Sequence, residues 1–217
     1  MAPIKIYGLT ISGNVIPIEF LCKNNGIEME IVNTDLMAGA HKTPEFLKMN
    51  PMHCIPTMDD EGFTLWESKA IMRYICNKHG LEAWYPKDVQ KRALCDLALD
   101  FHANTFVKLA GYKILYPAVG FAGPVTDEEK AAAEKQWTED VWPAFEHILK
   151  RSGGPFLGGE QPNIADLAFI GYTGPLFNKC GDCVLCKTEG FKAYFEALKA
   201  KLGHYSEIMA PAEGFYK

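Results

Sequence analysis

The chain has 217 residues, a formal net charge of −5 and a hydrophobic fraction of 48%, values typical of a soluble globular protein. Its mildly acidic balance argues against a nucleic-acid-binding surface, which needs a basic face. No apolar run approaches the roughly 20 residues of a membrane helix, and the first residues lack the layout of a secretion signal. The seven cysteines cannot all pair internally, which favours a reducing, cytosolic compartment.

The front segment, residues 1–80, combines strand and helix patterns. Residues 4–7 alternate and are rich in isoleucine, which predicts a short strand. A helix is expected from Pro17 to Asn25–Gly26, and a second strand over 28–32. A β-α-β unit of this length implies a parallel pair of strands.

The chain continues with a short helix that ends at Met49. Residues 55–58 and 63–66 predict two antiparallel strands on either side of an acidic turn. A helix from Glu67 to Lys78 follows. This order of elements predicts a four-stranded thioredoxin-like sheet.

The remainder of the chain has helical periodicity. The predicted helices cover 89–115, 126–150 with a kink at Pro143, 163–177 and 188–201, and an irregular tail follows them. The predicted fold class is therefore α/β plus all-α. An N-terminal thioredoxin-like domain over 1–80 is joined by a linker, 81–88, to a helical bundle domain over 89–217.

Three motif clusters lie in the front domain. Ser12 follows the first strand, His41-Lys42 precedes the short helix, and Asn50-Pro-x-His53-x-Ile55-Pro56 precedes Trp66-Glu67-Ser68-Lys69-Ala70-Ile71. Together with Asn163-x-x-Asp166, they resemble the cytosolic glutathione S-transferases over essentially the whole chain. The stretch 39–74 is most similar to the serine-type delta, theta and phi classes.

The resemblance implies a site for glutathione, an anionic tripeptide that serves as co-substrate, with no bound cofactor and no metal. Glu67 and Ser68 open a helix and would bind the γ-glutamyl end, because helix N-termini bind anions. Lys69 keeps the charge of the arginine that is usual in the family but loses its bidentate fork.

The rest of the tripeptide would meet two further groups of residues. Cys54 and Ile55, beside a cis Ile55–Pro56 bond, would pair with the cysteinyl backbone of glutathione. The donors His41, Lys42 and His53 would meet its glycyl carboxylate. Each of these residues, taken alone, also suits an ordinary loop position.

Two hydroxyls compete as the group that stabilises the glutathione thiolate. Ser12 is the preferred candidate, since serine-type members place a donor after the first strand, and the thiolate is the nucleophile. Tyr7 stands near the end of that strand, where tyrosine-type classes place theirs. The arginine that often follows the serine in relatives is missing here, which leaves the choice open.

The wall for the second substrate is expected on the first long helix of the back domain. Phe106, Tyr112, Tyr116 and Phe121 are its candidates, and Phe215 and Tyr216 of the tail are candidates for a lid. A stripe at helical spacing also suits a buried core. Cys180, Cys183 and Cys186 have metal-like spacing but no fourth ligand nearby, so they are interpreted as incidental.

The resemblance predicts a cytoplasmic, homodimeric glutathione transferase that attacks hydrophobic electrophiles with the glutathione thiolate, with hydroperoxide reduction as a secondary reaction. One alternative is a non-catalytic glutathione-binding or structural member of the same fold. Another is a thiol-disulfide enzyme or peroxide reductase, although residues 8–16 contain no nucleophilic cysteine.

Overall fold

The computed structural model describes residues 2–216. The predicted ranges 1–80 and 89–217 therefore each extend by one residue, Met1 and Lys217, outside the described part. The front segment forms a four-stranded sheet from β1 (Ile4–Gly8), β2 (Met29–Asn33), β3 (Thr57–Asp60) and β4 (Phe63–Trp66), in the order β2-β1-β3-β4. β1 and β2 are parallel and the other pairs antiparallel. This confirms the predicted thioredoxin-like arrangement.

Three helices accompany the sheet: α1 (Ile16–Asn24), α2 (Pro44–Met49) and α3 (Ser68–His79). A short 3₁₀ turn, Ala40–Lys42, precedes α2. Pro17 lies in the first turn of α1, where its missing N–H costs no helical hydrogen bond. α3 ends at Gly80, which adopts the left-handed conformation common after helices.

The back segment is helical. Its helices are α4 (Val89–Phe101), which continues as a π-helix (His102–Leu115) and a last turn, α5 (Tyr116–Ala118); α6 (Asp127–Gln136), a π-helical turn (Trp137–Val141) and α7 (Trp142–Ser152); α8 (Ile164–Lys179); α9 (Val184–Lys187); α10 (Glu189–Lys201); and α11 (Tyr205–Phe215). Within residues 2–216, no helix combines the length and apolar character needed to cross a membrane.

The core is continuous from the sheet into the helices. It contains Ile6 of β1, Phe20 of α1 and Leu167 of α8, all fully buried. α8 is buried on every side over its first three turns, as expected of a helix whose apolar residues leave no polar face. The Asn163-x-x-Asp166 motif forms a capping box at the start of α8, in which the two residues exchange side-chain-to-backbone hydrogen bonds.

The loop after β1 and the middle of α8 touch backbone to backbone. A Cβ at Gly13 would lie 2.9 Å from the Gly171 carbonyl oxygen, and a Cβ at Gly171 would lie 2.1 Å from the Gly13 carbonyl oxygen. Only glycine allows this approach. The contact sets the position of the front segment's first loop against the helical part.

Three predicted elements differ from the observed ones. β3 begins at Thr57 because the cis Ile55–Pro56 bond precedes it. The predicted kink at Pro143 takes the form of a π-helical turn that ends just before α7. The tail, expected to be irregular, forms α11, since Ile208, Met209 and Ala212 are buried against the core despite Pro211. Tertiary packing overrides local propensity there.

Candidate functional site

Ser12 lies in a tight loop between β1 and α1. Its backbone N–H donates to the Leu9 carbonyl, and its own carbonyl accepts from Val15 and Ile16, so the loop is fixed from both sides. The Ser12 Oγ accepts a hydrogen bond of 3.3 Å from the Asn14 backbone N–H. Because Oγ accepts there, its hydrogen remains available for donation to a ligand.

The side chain of Asn14 joins three elements at this point. Its Nδ2 donates to the Tyr172 hydroxyl of α8 at 3.2 Å. Its Oδ1 accepts from Ser68 Oγ and from Lys69 Nζ, both at 3.4 Å and both at the start of α3. Asn14 therefore couples the Ser12 loop to the N-terminus of α3 and to the helical part.

Tyr7 occupies a different setting. It lies in β1 between Val32 and Thr57 of the neighbouring strands, and its ring packs edge-on against Phe46 at 6.1 Å between centroids. The Tyr7 ring is thus part of the packing between the sheet and α2.

The segment before β3 carries the backbone predicted to pair with a ligand. Ile55–Pro56 is cis, as predicted. Buried Asn50 holds the segment, because its Nδ2 donates to the Cys54 carbonyl at 3.0 Å and to Thr57 Oγ1 at 2.9 Å. Its Oδ1 accepts from the Met52 N–H. The Asn50 side chain therefore fixes the exposed loop on which His53 and Cys54 stand.

A cavity of about 260 Å³ lies between one end of the sheet and the long helices, and neither Ser12 nor Tyr7 is among the residues that line it. The front segment contributes most of the polar lining, and the back segment adds the ammonium of Lys108 to its apolar and tyrosine side chains. It is lined by Asn14, Cys54, Ile55, Pro56, Glu67, Ser68, Lys69, Ala103, Val107, Lys108, Tyr112 and Tyr172. A cavity with a few convergent polar groups and an apolar wall is typical of a small-molecule site.

The edge formed by Glu67 and α3 has two features of an anion-binding site. Glu67 has φ 71°, an unusual backbone conformation for a residue with a side chain, and such conformations cluster at ligand sites. The Ser68 side chain is buried at the first turn of a 12-residue helix, whose N-terminal amides favour negative charge.

Lys69 is the cationic group of this edge. Burial lowers the pKa of its ammonium to about 8, and the nearby Glu67 carboxylate only partly offsets that effect. Arg73 lowers the pKa further. The neighbouring His102 is fully buried, and burial holds its pKa far below the usual range, so it is neutral beneath the site.

His41, Lys42 and His53 form a separate group that does not line the cavity, although His53 directly precedes Cys54, which does. The rings of His41 and His53 lie 6.1 Å apart, and Lys42 is exposed beside them. Burial, followed by the charge of Lys42 and then that of His53, lowers the pKa of His41. The Nδ1 of His41 is buried and has no hydrogen-bond partner.

The predicted aromatic wall divides into two groups. Phe106 is 0% exposed and packs against Phe169 and Phe191 in the core, so it does not line the cavity. Tyr112 is 60% exposed and lines it. Tyr116 packs edge-on against Tyr112 and shares a 3.0 Å hydrogen bond with Tyr172. Burial raises the pKa of Tyr116, so this hydroxyl stays protonated.

The C-terminal helix extends this aromatic surface toward the Ser12 loop. Phe121 packs against Tyr116 and against Phe215, with ring centroids 6.3 and 5.8 Å apart. The Tyr216 hydroxyl donates to the Ile11 carbonyl at 3.3 Å. The tail residues thus lie beside the loop that carries Ser12.

Asn14, Asn50 and Tyr172 were missed as site residues by the sequence analysis. Asn14 was not singled out, and Asn50 was named only as part of the motif before Ile55–Pro56, although both have the double donor-acceptor capacity of an amide. Tyr172 lies in a nearly uniform apolar helix, so no local signal marks it. Its proximity depends on the contact between Gly13 and Gly171.

Comparison with known proteins agrees with this geometry. Residues 2–77 match the family model "Glutathione S-transferase, N-terminal domain". The chain is 31% identical over 80% of its length to "Probable glutathione S-transferase GSTF2" of Oryza sativa subsp. japonica, 80% of which is covered. It is 35% identical to "Glutathione S-transferase D7" of Anopheles gambiae, over 59% of this chain and 62% of that one.

A solved structure extends the similarity to the whole chain. The Bombyx mori glutathione transferase BmGSTD1 superposes with a TM-score of 0.84 at 32% identity, covering 100% of this chain and 96% of the other. The similarity therefore includes both the sheet and the helical part.

Proposed function

We infer that this chain, which belongs to the glutathione S-transferase family, is an enzyme that transfers glutathione to electrophiles through the cavity described above. Glutathione is the co-substrate that it conjugates to the electrophile. The observation that carries the assignment of the site is Asn14, which links the Ser12 loop, the start of α3 and Tyr172 around one cavity.

We propose Ser12 as the residue that stabilises the thiolate. Its Oγ accepts from Asn14, so its own hydrogen is free to donate to sulfur. One charge-assisted hydrogen bond, together with the nearby N-terminus of α1, favours the anion over the thiol. The thiol proton leaves to solvent, and the thiolate attacks an electrophilic carbon. The new C–S bond either displaces a leaving group from that carbon or adds across its double bond. Tyr7 is the second candidate.

The two ends of glutathione would bind on opposite sides of the cavity. Glu67 would pair with the γ-glutamyl ammonium, while Ser68 and Lys69 would bind the adjacent carboxylate. The cysteinyl backbone would lie along Cys54 and Ile55. His41, Lys42 and His53 would meet the glycyl carboxylate, since two imidazoles and an exposed ammonium lie together there.

The second substrate would be a hydrophobic electrophile. Val107 and Tyr112 line the cavity, Tyr116 stands behind Tyr112, and Phe121 and Phe215 extend the aromatic surface. Phe106 supports this wall from the core. An apolar pocket beside a thiolate favours ligands with little charge of their own.

We also propose that the protein is a cytoplasmic homodimer. Phe63 on the edge strand β4 and Met52 in the loop before β3 are exposed, and a second copy would cover such apolar surface. A molar mass of twice the 24.2 kDa chain in light scattering supports the proposal. A concentration-independent mass equal to one chain contradicts it.

Two assays on the purified protein test the assignment. Retention on immobilised glutathione, combined with turnover of chlorodinitrobenzene, is expected of a transferase. Retention without turnover of any electrophile would instead indicate a binding module. Glutathione-dependent reduction of an organic hydroperoxide tests the secondary activity, in which two glutathione thiols are oxidised to the disulfide while the peroxide is reduced to alcohol and water.

A further inference from the structure

Two cysteine thiols outside the cavity lie within contact distance of each other. Cys183 and Cys186 bracket the start of the short helix α9, and their sulfurs are 3.5 Å apart. A disulfide bond requires about 2.05 Å between sulfurs and side chains that face each other. Both are free thiols, and their sulfurs are already in contact, so a bond needs an approach of about 1.5 Å.

The two thiols differ in exposure. Cys183 is half-buried and Cys186 is 6% exposed. The attacking thiol must be accessible to a disulfide in solution, whereas the resolving thiol needs only to reach the sulfur of the attacking cysteine. Their exposure therefore assigns the attacking role to Cys183 and the resolving role to Cys186.

The protonation of the two sulfurs agrees with these roles. The Cys186 thiol stabilises the Cys183 thiolate and, despite partial burial, lowers the pKa of Cys183 to about 7; the backbone amides of Cys186 and Leu185 act in the same direction. The pKa of Cys186 is raised by Cys183 and by burial. A larger share of Cys183 is therefore thiolate near neutral pH than for an ordinary cysteine.

The third cysteine of the cluster is not part of the pair. Burial, and then the charge of Cys183, raises the pKa of Cys180 to about 11, so it is protonated at neutral pH. Within residues 2–216, no group of three or more histidine, cysteine or acidic side chains is arranged to hold a metal ion. The contact between the Cys183 and Cys186 sulfurs therefore involves two of the three cysteines.

We propose that Cys183 and Cys186 form a thiol–disulfide exchange site that reacts with glutathione disulfide. The Cys183 thiolate attacks one sulfur of the disulfide, which forms a Cys183–glutathione mixed disulfide and releases one glutathione thiolate. Cys186 then loses its proton to solvent and attacks the Cys183 sulfur, which closes the protein disulfide and releases the second glutathione. Two protein thiols are oxidised and one glutathione disulfide is reduced.

The experiment equilibrates the full chain in buffers of graded glutathione disulfide to glutathione ratio, followed by alkylation of free thiols and peptide mass spectrometry. We expect the peptide containing Cys183 and Cys186 to lose two hydrogens and become protected from alkylation as the ratio rises. Reduction should restore both thiols. A peptide that stays fully alkylated in glutathione disulfide alone overturns the proposal.

Three variants separate the roles of the cysteines. Cys186→Ser should trap one glutathionyl group on Cys183, at least about tenfold faster than glutathionylation of Cys180 in the same chain. Cys183→Ser should abolish the protein disulfide, and Cys180→Ser, the matched control, should leave it unchanged. A disulfide that includes Cys180, or one that survives Cys183→Ser, overturns the assignment.

The exchange reaction and the conjugation reaction can be tested independently. We expect Cys183→Ser to retain conjugation of chlorodinitrobenzene within about twofold, because the cavity contains neither thiol of the pair. Circular dichroism of each variant, compared with the parent chain, separates loss of the exchange reaction from loss of fold.

Discussion

Ser12 and Tyr7 are the two hydroxyls that compete for the glutathione sulfur, and single substitutions distinguish them. Ser12→Ala should lower kcat/KM for conjugation about 100-fold, because it removes the hydrogen-bond donor that stabilises the glutathione thiolate. Glutathione affinity should change little. The ultraviolet thiolate band of the bound tripeptide should disappear.

Tyr7→Phe is the matched control, because it removes only a hydroxyl and keeps the ring on Phe46. Its conjugation rate and thiolate band should stay close to those of the parent chain. If Tyr7→Phe removes the band while Ser12→Ala retains it, the roles of the two residues are reversed.

Lys69 makes a pH dependence specific to this chain. Because burial lowers the pKa of its ammonium to about 8, the charge is present below that pH and lost above it. Affinity for S-methylglutathione, which has no thiol to ionise, should fall about fivefold from Lys69 deprotonation between about pH 7 and about pH 9.

Lys69→Arg supplies the comparison, since a guanidinium keeps its charge over this range. The ligand's own amine titrates identically with both proteins, so its effect cancels in the ratio of their dissociation constants. Calorimetric titrations that give parallel pH profiles for the two proteins would show that Lys69 does not contact the ligand as a cation.

Residue identity predicted only part of this site. Cys54, Ile55, Glu67, Ser68, Lys69 and Tyr112 were expected from motifs and do share one cavity. Asn14 could be placed there only after α8 and α3 were positioned, because its partners Tyr172 and Lys69 are distant in sequence. Phe106 shows the converse: helical spacing alone does not distinguish a core face from a pocket face.

The elements of the front segment were predictable because each has a local signal. Alternation marked β1 and β2, and the proline in the first turn marked α1. The limits of β3 and the helical character of α11 were not. β3 begins only after Pro56, which has no N–H to donate to the ladder. The helix α11 depends on burial against α1 and α8, so only this element is decided by contacts between residues distant in sequence.

The backbone contact between α8 and the loop after β1 can be tested by substitution of its glycines. Gly171→Ala places a Cβ 2.1 Å from the Gly13 carbonyl oxygen, and the backbone must separate to accommodate it. We expect a loss of about 1–3 kcal/mol in the free energy of unfolding, together with weaker conjugation as Asn14 moves away from Tyr172.

Gly174→Ala is the control on the same helix. Its Cβ would meet the terminal methyl of Met209, and a flexible side chain can rotate away at smaller cost. Denaturant unfolding of both variants measures the difference. Equal destabilisation would mean that the approach of Gly13 to Gly171 has no special importance.

The whole molecule is expected to unfold as one unit, although the sequence divides it at 81–88. Buried residues form one cluster that runs from Ile4 to Tyr216, so neither segment covers its apolar surface alone. Thermal unfolding followed by far-ultraviolet circular dichroism and by tryptophan fluorescence should give one coincident transition.

Glutathione should raise the temperature of that single transition, because it binds the folded chain. Fluorescence reports both segments, since Trp66 lies in β4 and Trp137 lies in the helical part. Two separate transitions, with only the first shifted by glutathione, would show that the segments are thermodynamically independent.

The backbone contact of Gly13 with Gly171 also bears on chimaeras between relatives. A hybrid joins the front segment of one family member to the helices of another. It must have glycine at both contact positions, because a side chain at either one would displace the loop that carries Ser12 from α8. Exchange of segments should therefore give an active hybrid when both contact positions are glycine. Hybrids that fold but conjugate poorly should recover activity when a glycine is restored at the mismatched position.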